Sequence, residues 1–225
     1  MRVSVIIPVL DEEKTIASTI NNVRSLGPEQ VLVVDGGSTD RTRAISERAG
    51  ATVFPGPRGR ARQMNRGAQE AAGDVFLFLH ADTRLPASAL DDVGSALADP
   101  EFAGGRFDVE MDGDRWIFRV VGTMINVRSR LTKVATGDQA IFVRRKIFEE
   151  IGGFPDIPLM EDIAFCRALK RKGKVACLRS RVITSARRWE TAGVWRTIFR
   201  MWTLKTLYLA GVSPARLKRY YADTR

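Results

Sequence analysis

Residues 74–83 read DVFLFLHADT, and residues 3–13 read VSVIIPVLDEE. Each is a run of apolar residues that ends abruptly in acids. Runs that are apolar at nearly every position belong to strands covered on both faces, because a half-exposed strand would alternate. Two more runs, QVLVVDGG (30–37) and ATVFPG (51–56), lie between them, and amphipathic stretches of helical length separate all four. Such alternation predicts parallel strands joined by crossover helices, with the first and fourth runs in the middle of the sheet. Ser38, Thr39 and Asp40 follow two glycines and predict the start of a helix that reaches Gly50.

Beyond residue 100 the rhythm loosens. FAGGRFDVEM (102–111), QAIFVRR (139–145) and KVACLRSRVI (174–183) read as strands, whereas RWIFRVVGTMINVRSRL (115–131) and EDIAFCRALKRKG (161–173) read as helices. The expected architecture is α/β: a mixed, mostly parallel central sheet flanked by helices. Residues 1–185 form one domain whose halves divide near residue 100, and residues 186–225 form a basic, amphipathic helical extension.

Composition narrows the classes. A chain of 225 residues, 44% hydrophobic, is long enough to bury a core without disulfides or a structural metal. Cys166 and Cys177 stand in a predicted helix and strand, outside any Cys/His cluster, and read as free thiols of a reducing compartment, with the cytoplasm as default. The apolar start is cut by Pro8 and three acids, unlike a signal peptide. The uncharged stretch Thr206 to Ala215 falls short of the roughly 20 residues of a membrane-spanning helix. A net charge of +10 favours anionic partners. From Arg187 onward nine basic residues face two acids, which fits either a solvated surface or a functional patch.

In open parallel sheets ligands bind beyond the carboxyl ends of the strands. Asp35 stands at one such end, before Gly36 and Gly37, where a nucleobase or ribose can approach; a turn-forming acid explains it equally well. Asp82 follows a fully apolar strand, where an acid is poorly placed unless it meets a cation. A hard divalent ion, Mg2+ or Mn2+, is one partner, and an N-cap role for a helix near Pro86 is the other explanation. His80, the single histidine, reads as a weak ligand, a neighbour of the ligand, or a strand-end residue. In GPRGRAR (56–62), Arg60 and Arg62 are candidates to grip a diphosphate, and Arg66 reads as solvated. Glu161 and Asp162 open a helix after a loop containing Pro155 and Pro158. They read as helix-capping acids or, for Asp162, as a general base that takes a proton from an attacking hydroxyl.

The series VSVIIPVLDEEKTIASTI, VVDGGSTDRT, GRARQMNRGAQEAAGDVFLFLHADT, GDQAIFVRR and GGFPDIPLMEDIAFCRAL resembles family 2 glycosyltransferases, in order and spacing, from residue 3 to about 175. The resemblance implies a Rossmann-like GT-A fold with a nucleotide-binding half over about 1–100 and an acceptor-side half over about 101–185. It further implies a nucleoside diphosphate sugar as donor, UDP-sugar favoured, and inversion at the anomeric carbon. Pro8, Glu12 and Asp35 are then expected in the nucleotide pocket, Asp82 on the metal, and Asp162 as base with Glu161 beside it.

The sequence departs from the family pattern at three places. His80 replaces the first acid of the DxD element, Gly36 stands where many relatives carry a second aspartate, and SARRWE (185–190) has Ser185 where processive members carry glutamine. Arg188 and Trp189 still match that last element and are expected on the acceptor or diphosphate side. Two other classes compete. A sugar-phosphate nucleotidyltransferase would need a glycine- and lysine-rich N-terminal loop that is absent here. A non-catalytic basic module binding membrane or nucleic acid has no use for the acids at 35, 82 and 162, and no specific nucleic acid is expected. In the extension, Trp195, Ile198, Phe199, Trp202 and Leu209 share one helical face, expected to pack on the domain or on a second copy. Arg216, Lys218 and Arg219, with Tyr220 and Tyr221, are expected to make weak contact with a lipid surface at the inner membrane face, near a lipid-linked acceptor.

Overall fold

The computed structural model describes residues 1–220, the side chain of Arg188 apart. The first half runs β1 (Val3–Val9), α1 (Ile16–Arg24), β2 (Gln30–Asp35), α2 (Thr42–Arg48), β3 (Thr52–Pro55), α3 (Arg60–Glu70) and β4 (Val75–Phe78). The second runs β5 (Thr83–Arg84), α4 (Ala89–Ala96), β6 (Phe102–Asp112), α5 (Trp116–Thr132), β7 (Ile141–Arg144), α6 (Arg145–Ile151), α7 (Glu161–Leu169) and β8 (Lys174–Ser185). Helices α8 (Arg187–Ala192), α9 (Val194–Leu209) and α10 (Pro214–Lys218) follow.

Among the described residues the strands make one sheet in the order β3-β2-β1-β4-β7-β6-β8-β5. β1 and β4 are central neighbours, as their unbroken apolar character requires, and β3, β2, β1 and β4 are parallel. Direction reverses at β7, which is antiparallel to both β4 and β6. The pleat of β1 sorts its side chains: Val3, Val5, Ile7 and Val9 enter one core with α1 and α4, while Ile6 enters the opposite core with α3, α6 and α7. The second core is closed by aromatics, with Phe154 and Phe165 stacked at 4.2 Å between ring centroids. Cys166 and Cys177 are free, and burial pushes the Cys166 thiol up to about 12.

Two expectations change. α2 begins at Thr42 rather than at the Ser38–Asp40 segment, because those residues are tied into loops: Ser38 donates its backbone N–H to Asp35 at 3.0 Å, and Thr39 donates its own to Asp11 at 2.7 Å. Asp40 accepts the Thr42 N–H at 2.9 Å, an aspartate turn that leads into the helix. In the extension, α9 reaches the domain through Val194, Thr197 and Leu204, with Leu217 of α10. Trp195, Phe199, Trp202 and Leu209 point outward, 65, 71, 65 and 52% exposed, so the aromatic stripe does not pack on its own domain; only Ile198 of that set turns inward. Among the described residues no helix is long and apolar enough to cross a membrane.

Candidate active site

The parallel registers set Val9, Asp35 and Pro55 in one row, bringing three strand ends together. Gln63 of α3 fastens this edge: buried, it donates to the carbonyls of Val9 at 2.7 Å and Val34 at 2.8 Å. A Cβ on Gly36 would come within 2.9 Å of its amide, so the residue after Asp35 is small to make room for this clasp. Asp35 accepts both the N–H (3.0 Å) and the hydroxyl (2.5 Å) of Ser38 through a single oxygen, Oδ1. It therefore shapes the turn and still presents a carboxylate at the sheet edge. Asp11 holds a left-handed backbone, φ 53°, while tying β1 to the next loop through Thr39.

Glu12 lies half-buried after β1. Its N–H donates to Thr42 Oγ1 at 2.7 Å, and its carboxylate meets Arg187 at 3.2 Å across 175 residues of chain. Asp82 stands near both groups. Burial first, then the charge of Glu12, raises its carboxyl above the usual range, while Arg187 and Arg60 pull it back. β5 follows Asp82 directly and α4 begins only at Ala89, so Asp82 is not a helix cap. A pocket that disfavours a bare carboxylate, beside a second one, favours a carboxylate neutralised by a cation. That donor chemistry fits a hard divalent ion whose remaining ligands are phosphates and water, since the described residues hold no cluster of three or more metal-binding side chains.

A cleft beside this edge is lined by Pro8, Arg60, Met64, Phe78, His80, Gly137, Glu161 and Asp162, among others. Met160, in the left-handed region at φ 68°, turns the chain into α7, so that Glu161 and Asp162 fall in its first turn. Asp162 accepts the N–H of Gly137 at 3.0 Å and that of Ile163 at 2.7 Å. Desolvation, then the neighbouring charge of Glu161, pushes its carboxyl up to about 7, against the backbone donors and Arg60. Glu161 is buried, with Arg60 at 3.9 Å. Arg60 thus stands between the carboxylates, favouring the ionised forms of both Asp82 and Asp162. A Cβ on Gly137 would strike the His80 ring at 2.6 Å, so His80 abuts the turn that supports Asp162.

The structure thus gathers Pro8, Arg60, His80, Glu161 and Asp162 in one cleft, with Glu12 and Asp82 adjoining and Asp35 at the same sheet edge. Arg62 is elsewhere, exposed and paired to Asp156 at 2.7 Å. Arg66, paired with Glu70, lies on a solvated face. Trp189 is half-buried against the small core of Met111, Ile117 and Phe118. The side chain of Arg188 lies outside the described residues. Its neighbour Arg187 reaches Glu12, and sequence reasoning missed it by one position of the SARRWE segment. Gln63 was missed too; its signal was an amide at the margin of the apolar face formed by Ala61, Met64 and Ala68.

The sequence profile described as Glycosyl transferase family 2 matches residues 4–152. The chain belongs to glycosyltransferase family 2. Protein RfbJ of Shigella flexneri is 35% identical over 39% of this chain and 69% of its own length. The glucosyl-3-phosphoglycerate synthase of Mycolicibacterium paratuberculosis is 33% identical over 37% of this chain and 29% of its own. Among solved structures, the mannosyltransferase PcManGT of Pyrobaculum calidifontis, in complex with GDP-Man and Mn2+, superposes with a TM-score of 0.63 at 22% identity, covering 81% of this chain and 56% of that one. Glucosyl-3-phosphoglycerate synthase of Mycobacterium tuberculosis, in complex with Mg2+ and UDP, gives 0.61 at 19% identity, covering 80% and 69%. The family 2 enzyme and its GT-A fold are as the resemblance implied. The structural likeness shows the fold alone.

Proposed function

We propose that this enzyme moves a sugar from a nucleoside diphosphate sugar, UDP-sugar first, to an acceptor hydroxyl with inversion at the anomeric carbon. The observation that carries the reading is Asp162: a carboxyl in a cleft, raised to about 7, one arginine away from a second raised carboxyl at the end of the nucleotide-side strands. Asp162 takes the acceptor proton; the freed oxygen attacks the anomeric carbon from the face opposite the diphosphate; the bond to the diphosphate breaks and its electron pair stays on the phosphate oxygen. Asp35, Pro8 and Glu12 hold the nucleoside, Arg60 faces the developing charge, and Arg187 keeps Glu12 in place. Asp82, with His80 nearby, would hold Mg2+ or Mn2+, which supplies Lewis-acid neutralisation of the leaving diphosphate when bound. The metal- and nucleotide-bound relatives support this reading.

Cations gather on the acceptor side. Lys205 is half-buried, and burial, then the charge of Arg128, lowers its ammonium to about 8, with Arg167 adding and Asp162 opposing. This supports an acceptor that carries an anionic group, a lipid-linked phosphate included. A panel of UDP- and GDP-sugars with Mn2+ or Mg2+, followed for nucleoside diphosphate release, tests the reading. Pyrophosphate release would point instead to nucleotidyl transfer, and no turnover of any donor, with or without acceptor, would remove the transferase assignment.

A further inference from the structure

Helix α5 carries Trp116, Val120, Met124, Val127 and Leu131 at intervals of four, four, three and four residues, a single face that is 69, 41, 46, 51 and 80% exposed. Its opposite face is satisfied. Ile117, Phe118 and Val121 are buried, and Asn126 forms a closed pair with the backbone of Val109 on β6, accepting its N–H at 2.8 Å and donating to its carbonyl at 2.9 Å. The outward residues therefore contribute nothing to the core of this chain. α9 repeats the arrangement with Trp195, Phe199, Trp202 and Leu209. The two helices are neighbours, since Ile117, Phe118 and Val121 of α5 share one apolar cluster with Val194 and Ile198 of α9. Farther along, Lys205 of α9 feels the charge of Arg128 of α5, so their later turns also lie close.

We propose that the exposed faces of α5 and α9 together form a docking surface for an anionic phospholipid membrane. Charge selects this occupant. Residues 114–133 hold five basic side chains and one acid, and residues 187–220 hold eight basic side chains and one acid. Arg115, Arg119, Lys133, Arg196, Arg216 and Arg219 are exposed around the two stripes. A second copy seated on this surface would bring the same cations against one another, because a two-fold interface is self-complementary in residues. A surface of anionic lipid headgroups complements them, and tryptophan and phenylalanine are the side chains that settle at the level of the headgroups. The helix that carries half of this surface also backs the cleft: Leu204 of α9 packs in the same core as Met160 and Ile163, which bracket Glu161 and Asp162. Docking would hold the cleft at the lipid boundary. The three basic residues at 216, 218 and 219 are the edge of this surface rather than the whole of it; Tyr220 is exposed beside them, and Tyr221 lies outside the described residues.

The test uses the full chain and needs no substrate. Flotation with vesicles of phosphatidylcholine alone, or with about a third phosphatidylglycerol, should recover the protein only with the anionic vesicles, with an emission blue shift of its tryptophans. Raising the salt from about 0.05 to 0.5 M should cut recovery about tenfold, because the Debye length contracts to a few ångströms. Trp195→Glu/Phe199→Glu/Trp202→Glu and, separately, Trp116→Glu/Met124→Glu should each lose vesicle recovery while keeping the wild-type circular dichroism, since all five side chains are exposed. Equal recovery with neutral and anionic vesicles, or none with either, overturns the proposal. So does a wild-type dimer by sedimentation that the same substitutions dissociate, which would assign the surface to a second copy. Should a variant not fold, the wild-type blue shift and its salt dependence decide alone. Transfer to a soluble acceptor is a separate readout, so a dead enzyme that floats and an active one that does not are told apart.

Discussion

Lowering the pH from 8 to 5 should slow sugar transfer about a hundredfold, with a midpoint set by Asp162. A base must be ionised to accept a proton, and this carboxyl titrates at about 7 because it is desolvated and lies beside Glu161. Two pH units below such a midpoint about 1% remains ionised, whereas an ordinary aspartate near 3.9 would be more than nine-tenths ionised at pH 5. The sign for stability is opposite to that for rate. An acid whose folded pKa lies above its unfolded value contributes stability that is complete below about pH 4 and is lost as the pH rises through about 7. Asp162→Asn should therefore lower turnover by about 10²–10⁴-fold, leave donor affinity nearly unchanged, and reduce the change in melting temperature between pH 5 and 8 relative to wild type. Glu161→Gln, which removes the second cause of the shift, should move the rate midpoint downward. Initial rates of nucleoside diphosphate release from pH 5 to 9 at saturating donor and metal, with thermal melts at pH 5 and 8, measure all of this. A rate profile flat from pH 5.5 to 8, or an Asp162→Asn enzyme with wild-type turnover, would refute the assignment of the base.

Asp82→Ala should abolish the metal-dependent thermal stabilisation by UDP or GDP, which in wild type should amount to about 2.7 kcal/mol at a ligand concentration 100 times its Kd; equal shifts in the two proteins would exclude Asp82 as the essential ligand. Gln63→Leu removes the clasp between the ends of β1 and β2 and should cost about 1–3 kcal/mol in urea unfolding, with weaker nucleotide binding measured by calorimetry. Asp108→Ala strands the buried Arg106 guanidinium, which pairs with it on β6, and should cost about 3–5 kcal/mol in the same assay.

The first half was legible because its central strands are buried on both faces and so carry an unbroken apolar signal. The strands at 3–9, 30–35, 52–55 and 75–78 lie where the runs were read, and Asp35 and Asp82 fall at or just beyond the ends of theirs. Contacts across large sequence separations left no such mark. The Arg187–Glu12 pair spans 175 residues, and neither neighbourhood has a periodicity that reveals it. The stripe on α9 was legible as a stripe but not in its orientation: periodicity shows that apolar residues share a face, and not whether protein covers that face. Val194, Thr197 and Leu204 make the inward contact, while the large aromatics that dominate the pattern face outward.

The reversal of the sheet at β7 explains how the proposed base, carried by the second half, comes to the same edge as the proposed metal acid, carried by the first. β4 runs toward His80 and Asp82, and β7 pairs with it antiparallel, with Phe78 opposite Ile141. The turn that precedes β7, Gly137–Gln139, must then lie beside the carboxyl end of β4. A parallel strand in that place would have put its start at the far edge, a strand's length away. Gly137 is the point of contact: its missing side chain admits the His80 ring, and its N–H holds Asp162. Replacing Gly137 with alanine should thus disturb Asp162 without touching any acid, lowering the turnover number more than donor affinity. Asp82→Ala should show the reverse ordering, with binding lost first. If Gly137→Ala weakened nucleotide binding as much as turnover, the two carboxylates would belong to one inseparable site, and the division between nucleotide edge and base would fail.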